Sequence, residues 1–327
     1  TSTGVLTYLP FDNETISNSQ LVADRPGAME NLISVVGSSS SASSSASASA
    51  SPNFGSAAAP TAAENIAFNN IAFSHSSWAM PRRDEVVDSQ AASNSNTSLV
   101  FVRNASRVSF TRCSFSRTGW GYALWIETGT SQCTVVNNRF FDLGSGGVRL
   151  GGCTPDPYNP PDVQVCSDVR AGGVAPPCTG HTVSGNVIQD GGKILAQGVG
   201  ILVTKASQLR LTDNVVSGFS WSGVSVGWTW GYANDSVTAD NIVASNTIKD
   251  IGRKELNDLG GIYTLGISPH SQIYGNTVSD VAAFQGDLAY GIYLDEGTSG
   301  VAVSSNTVTG VSGAGFFQHC KCSSLFF

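Results

Sequence analysis

Residues 246–308 read NTIKDIGRKELNDLGGIYTLGISPHSQIYGNTVSDVAAFQGDLAYGIYLDEGTSGVAVSSNTV. Three times in this stretch an Asn is followed two residues later by Ile or Val, at Asn246, Asn276 and Asn306. Each interval is 30 residues and holds a strand-like run led by Gly, GGIYTLG and then YGIYLDEG. Toward the N-terminus the pattern recurs at Asn214, Asn186 and Asn138, in NVV, NVI and NRF, with the runs SGVSVGW, GVGILVT and GGVRLG. Repetition of a strand-containing unit at a nearly fixed period is the signature of a stacked solenoid, in which each unit buries its apolar face only against its neighbours. The expected fold is therefore all-β, a single-stranded right-handed parallel β-helix, the hand following from the preference of parallel strand crossovers. At roughly 4.8 Å per rung, seven to nine rungs make a cylinder roughly 35–40 Å long.

Two columns define the rung. The first runs through Ile71 in NIAFNNIAFSH, Cys113 in RVSFTRCSF, and then Asn138 and the later Asn residues. Asn suits such a corner because it tolerates the left-handed backbone, and stacked side-chain amides can hydrogen-bond along the axis. The second column is Gly121 or Ala123, then Gly147, Gly200, Gly223, Gly261, Gly291 and Gly315, each opening a strand. Asp142, Asp190, Asp250 and Asp280 recur after the Asn column and read as turn residues.

Outside the repeats, residues 1–37 carry short strand-like runs, GVLTYLP and LISVVG, that lead into the solenoid. Residues 38–62 are almost wholly Ser, Ala, Pro and Gly, too poor in apolar surface to fold, and read as a disordered insertion. The β-helix is expected over 63–319, with a Cys- and Pro-rich loop at 152–179. The tail 320–327 breaks the pattern and looks truncated. Cys153, Cys166 and Cys178 fall in that loop and are expected to supply one disulfide, because a loop without a core gains from a crosslink. Their spacing resembles no zinc site, and neither a metal nor another cofactor is expected. His75, His181 and His270 read as surface residues.

Net charge is −7, which argues against a nucleic-acid surface, and no apolar run approaches the ~20 residues that cross a bilayer. Sequons at Asn13, Asn96, Asn104 and Asn234 fit a secreted or extracellular protein. A monomer is expected.

Function is sought on the strand after each Gly. Side chains at Gly+1 and Gly+3 point inward, for example Val148 and Leu150, or Ile292 and Leu294; those at Gly+2 and Gly+4 point outward. The Gly+2 column reads Arg149, Leu202, Ser225, Tyr263, Tyr293, Phe317, and the Gly+4 column reads Gly151, Thr204, Gly227, Leu265, Asp295, His319. The outer face thus turns aromatic and ionisable over the last three rungs. Asp258 enters the Tyr263 strand, Glu296 follows Asp295, and Trp228 and Trp230 extend the strand one rung earlier. Rings that stack on sugar C–H faces, beside a pair of carboxyls, suit glycosidic bond cleavage in an open groove. Trp228, Trp230, Tyr263, Tyr293, Glu296 and His319 are the expected substrate contacts, and Asp258 and Asp295 the expected catalytic pair.

The strings SVGWTWGY, NDLGGIYTLG, GIYLDEGTSG and GFFQH resemble a group of right-handed parallel β-helix proteins similar to glycoside hydrolase family 141. That resemblance implies an α-L-fucosidase- or xylanase-like hydrolase acting on a polysaccharide, with catalytic Asp residues at Asp258 and Asp295; Phe317 stands where the group usually has His. Two other readings remain open on the same scaffold. One is a polysaccharide lyase or epimerase, which would need cations against a uronate carboxylate. The other is a non-catalytic carbohydrate-binding or structural solenoid, which would keep the aromatic face without the carboxyl pair.

Overall fold

The structure is a computed structural model that describes residues 32–37, 62–76, 90–93, 95, 97–152, 177–228 and 237–319. Trp230, Cys153, Cys166, the Ser/Ala-rich tract up to residue 61 and the tail 320–327 lie outside the described residues.

The chain winds as a right-handed parallel β-helix. Every strand pairing among the described residues is parallel, and each pairs a strand with its counterpart one rung away. Three long sheets result. The Gly-led sheet has nine strands, from Ile33–Val36 to Phe316–Gln318, and the other two have eight each. One of the eight-stranded sheets carries the strands that follow the Asn column, such as Thr247–Ile251 and Thr277–Val281; the other carries those that precede it, such as Ile242–Ala244. A short four-stranded sheet joins the early rungs. The segment Ile33–Val36 pairs with Val100–Arg103 and forms the first strand of the Gly-led sheet.

The Asn column is an unbroken ladder. The Oδ1 atom of each ladder Asn accepts the backbone N–H of the ladder residue one rung earlier, from Cys113 onto Asn138 through Asn276 onto Asn306, at 2.8–3.1 Å. It also accepts the Nδ2 of the preceding Asn at 2.9–3.0 Å. Most of these amides are buried, so the ladder satisfies polar groups inside the coil that water cannot reach. The left-handed backbone lies one residue earlier than the sequence suggested. Asn70, Arg112, Asn137, Gly185, Asp213, Ser245, Gly275 and Ser305 have φ between +54° and +67°, while the ladder residues do not. The corner is turned by the residue outside the coil, which leaves the Asn side chain free to point in.

The Gly column has a steric cause. A β-carbon on Gly200, Gly223, Gly261 or Gly291 would stand 2.3–2.5 Å from a γ-carbon of Val216, Ile248, Val278 or Val308. These are the β-branched residues two positions after the ladder Asn, so the Asn-x-Ile/Val motif and the Gly-led strand are two halves of one packing contact. Register places Leu124 opposite Val148, so Ala123 and not Gly121 belongs to the column.

One expectation fails here. His181 is buried and not at the surface: its Nδ1 accepts the backbone N–H of Cys133 at 3.0 Å, as Asn241 Oδ1 accepts that of Leu209 two rungs on. It does a ladder residue's work in a second column, which fixes the neutral tautomer with the proton on Nε2, near Thr130 and Cys178. Burial pushes its pKa down to about 4. Cys178 is a free, buried thiol that opens a strand pairing with Thr130–Ser131, and the other two cysteines of the expected loop disulfide, Cys153 and Cys166, lie outside the described residues. His75 is exposed, as expected, and His270 is exposed with its Nδ1 3.3 Å from Asp240. Asp142, Asp190, Asp250 and Asp280 all have positive φ, in keeping with turn residues.

Candidate active site

Strands Leu259–Thr264, Ala289–Leu294 and Phe316–Gln318 lie side by side in the Gly-led sheet, with Tyr263 opposite Tyr293 and Tyr293 opposite Phe317. Their outward side chains converge. The Tyr263 hydroxyl donates to Asp295 Oδ2 in a short hydrogen bond. The Tyr293 hydroxyl lies 2.9 Å from Asp258 Oδ1 and 3.1 Å from Asp295 Oδ1, and His319 Nδ1 lies 2.8 Å from the same Asp295 oxygen. Since both distances run to one phenolic oxygen, the two carboxyl oxygens are no more than about 6 Å apart.

The loop brings Asp258 back over the strand it precedes. Its backbone is left-handed, with φ +57°, and its N–H donates to Leu288 O one rung on. Its carbonyl accepts the Trp221 indole N–H at 3.0 Å from one rung before. That turn cancels the offset between the two positions in register, three residues before one Gly and four after the next.

One hydroxyl carries one proton, so Tyr293 donates to only one of its two carboxyl neighbours at a time. The arrangement is most economical when one carboxyl carries a proton of its own. Asp258 fits that part: desolvation raises its pKa, the Asp295 charge adds to the rise, and the Tyr293 hydrogen bond and His319 act against it. Asp258 as a residue is exposed, yet the protein packed around its carboxyl suffices to desolvate it. Asp295 is buried, with donors on both oxygens. Burial first, and then the two carboxylates, raise Tyr263 and Tyr293 well above the usual phenol range, so both keep their protons.

The open aromatic groove expected from alternation is not what forms. Trp228, Tyr263 and Tyr293 point outward but are buried. Trp228 Nε1 donates to Ser225 Oγ, and its ring packs edge-on against Trp221, 6.3 Å between centroids. Trp221 lies 5.0 Å from Tyr263, and Tyr263 is edge-on to Tyr293 at 5.1 Å. The aromatics are a packed support for the carboxyls. Glu296 is half-buried, and among the described residues no hydrogen bond joins its carboxylate to the group. Arg149 is fully buried four rungs away, its guanidinium 4.2 Å over the Trp125 ring and its Nη1 on Ser95 O. Through that bond it ties Ser95 to the Gly-led sheet.

Sequence reasoning missed Trp221 and Tyr290. Trp221 has a signal, an aromatic two residues before Gly223 in the turn below the one that holds Asp258. Tyr290 stacks on Phe317, 4.3 Å between centroids and 12° between planes, and lies 4.6 Å from Tyr293. Phe317 thereby closes the aromatic support at its far end.

The profile of the right-handed beta helix region matches residues 167–326, just under half of the chain. No curated protein sequence matches it. Among solved structures, the chain resembles one titled glycoside hydrolase, at 21% identity and a TM-score of 0.58, over 80% of this chain and 49% of that one. It also resembles the A-module of the Azotobacter vinelandii mannuronan C-5 epimerase AlgE4, at 13% identity and a TM-score of 0.53, over 82% of this chain and 65% of the module. The chain thus spans about half the length of the first and about two thirds of the second. At these identities the likeness concerns the fold.

Proposed function

We propose that the protein is a retaining glycoside hydrolase acting on a neutral, fucose- or xylose-containing polysaccharide. The observation that carries this reading is the Asp258–Tyr293–Asp295 bridge. It brings one oxygen of each carboxyl within about 6 Å of the other, close enough for the about 5–5.5 Å spacing of a retaining pair. Asp258, whose proton is held by desolvation, is the general acid toward the glycosidic oxygen. Asp295, ringed by Tyr263, Tyr293 and His319, attacks the anomeric carbon as that bond breaks. Water, giving its proton to Asp258, then displaces Asp295 from the sugar. The solved glycoside hydrolase of similar fold supports the reaction class.

The epimerase of similar fold keeps a second reading in view. A uronate substrate carries a carboxylate that must be neutralised, and among the described residues no Arg or Lys bonds to Asp258, Asp295, Tyr263 or Tyr293. The group is acidic, which favours a neutral sugar. A wall polysaccharide as substrate would place the protein outside the cell.

The test is hydrolysis of aryl α-L-fucosides and β-D-xylosides, followed by proton NMR of the first-formed anomer. Release with retained configuration, lost in Asp295→Asn, supports the reading. Inverted product refutes the retaining assignment. Depolymerisation of a uronan with no action on neutral glycans refutes the substrate class. Binding of glycans without turnover of any of them would leave a carbohydrate-binding solenoid.

A further inference from the structure

Asp258 stands in the left-handed turn conformation that Asp tolerates, with φ +57°. The carboxyl stays over Tyr293 only while that turn keeps its place against the neighbouring rungs. Two bonds fix it. Leu288 O takes its N–H from the rung above, and Trp221 Nε1 reaches its carbonyl from the rung below, at 3.0 Å. The first is the kind of backbone bond that every rung makes. The second is a side-chain bond from a buried indole whose other face packs on Tyr263, the donor to Asp295. Trp221 therefore touches both arms of the carboxyl pair while lying outside it. Trp228, its indole N–H held by Ser225 Oγ, packs edge-on against the Trp221 ring.

We propose that Trp221 is a positioning residue, whose indole N–H holds the Asp258 turn so that its carboxyl meets Tyr293 and Asp295. This rests on the catalytic reading above for its effect on turnover, but not for its effect on Asp258. With the N–H gone, the Asp258 carbonyl must seek water. The turn loosens, the carboxyl withdraws from Tyr293, and its distance from Asp295 is no longer set. The ring itself keeps its tilted contact with Tyr263, so the packing of the rest of the face is retained.

The experiment uses the full chain with Trp221→Phe, and a second protein carrying 3-benzothienylalanine at position 221, which keeps the shape of indole and replaces the N–H by sulfur. Circular dichroism and thermal melting establish folding of both. Two readouts follow. Carbon-13 NMR of labelled Asp carboxyls, assigned with Asp258→Asn, should show Asp258 titrating nearer the ordinary carboxylate value in both variants. In a protein that turns over, kcat should fall about 10- to 100-fold, the scale of a catalytic group displaced by about an ångström, with KM within about twofold. If the benzothienyl protein titrates as the parent does, Trp221 does not position Asp258. If the Asp258 titration moves but kcat is unchanged in an active protein, Trp221 holds Asp258 without serving turnover, and the catalytic part of the proposal is overturned. If the parent hydrolyses no glycan, the catalytic reading fails while the titration still decides the role of Trp221.

Discussion

Val278 occupies the space that a β-carbon on Gly261 would need, its Cγ1 standing 2.4 Å from that position. The two residues come from different sheets and are joined only by the stacking of the coil. Gly291 O, at 2.8 Å, limits any escape along the strand. Gly261→Ala should therefore destabilise the protein by about 1–3 kcal/mol, the usual cost of forcing extra volume into a packed core. Val278→Ala in the same chain should recover part of that loss, read as a non-additive term in a double-mutant cycle of urea unfolding.

The ladder should respond unequally to truncation along its length. Asn246→Ala removes an acceptor from Asn214 N and Nδ2 and a donor to Leu211 O and Asn276 Oδ1, all in a buried column. With each orphaned buried group costing about 1–3 kcal/mol, a loss of roughly 3–5 kcal/mol is expected. Asn306→Ala, at the half-exposed end, should lose only about 1 kcal/mol, because water replaces the missing partners. Chemical denaturation of the two variants side by side checks the ratio.

Acid should act through His181. Its folded pKa lies below its unfolded value, so the unfolded chain binds the proton first as pH falls. Stability is fully present above about 6.5 and is lost as pH drops toward about 4. The loss is about 3 kcal/mol once both states are protonated. Protonation would also turn Nδ1 from an acceptor into a donor facing the Cys133 N–H. His181→Asn, which restores the residue type found at Asn241, should flatten this part of the pH–stability curve in thermal melts between pH 4 and 7.

Asp258 should show the opposite sign. Its folded pKa is raised, so the stability it contributes is present below the ordinary value of 3.8. That contribution is lost as pH rises through the folded pKa. Asp258→Asn should raise the melting temperature at pH 7 and leave it nearly unchanged at pH 3, while abolishing turnover. Tyr293→Phe should separate these effects. The Tyr293 bond lowers the Asp258 pKa, so removing it should shift the basic limb of the kcat profile to higher pH as well as lower its maximum.

The fold was legible because a solenoid writes each spatial contact into the sequence many times. The Asn-x-Ile/Val and Gly columns predicted the register that pairs Ile262 with Ile292 and Thr277 with Thr307. Asp295 was legible as a candidate because it breaks the pattern of its column, and Asp258 because it enters the aromatic strand of the rung before and matches the resemblance. Alternation along a strand gives the side of a sheet on which a residue sits, but not what covers that side. Tyr263 and Trp228 were therefore expected to line an open groove and instead are buried. His181 was misplaced for a related reason: a single ring standing in for an amide carries no repeat to betray it. Trp221 acts through its N–H on a backbone carbonyl, a contact that leaves no trace in residue type at position 258.

The ladder also separates two kinds of regularity. Asn138 and Asn186 lie 48 residues apart in the chain and Asn186 and Asn214 only 28, yet their bonds differ by just 0.3 Å, 2.8 against 3.1 Å. Each amide offers the next rung what it receives from the last, so a rung needs from its neighbour only the matching atom, whatever length of chain intervenes. Extra chain between two ladder residues thus leaves the contact between them unchanged. Such a scaffold can vary the length of chain from one rung to the next without disturbing the spacing of the groups its rungs carry.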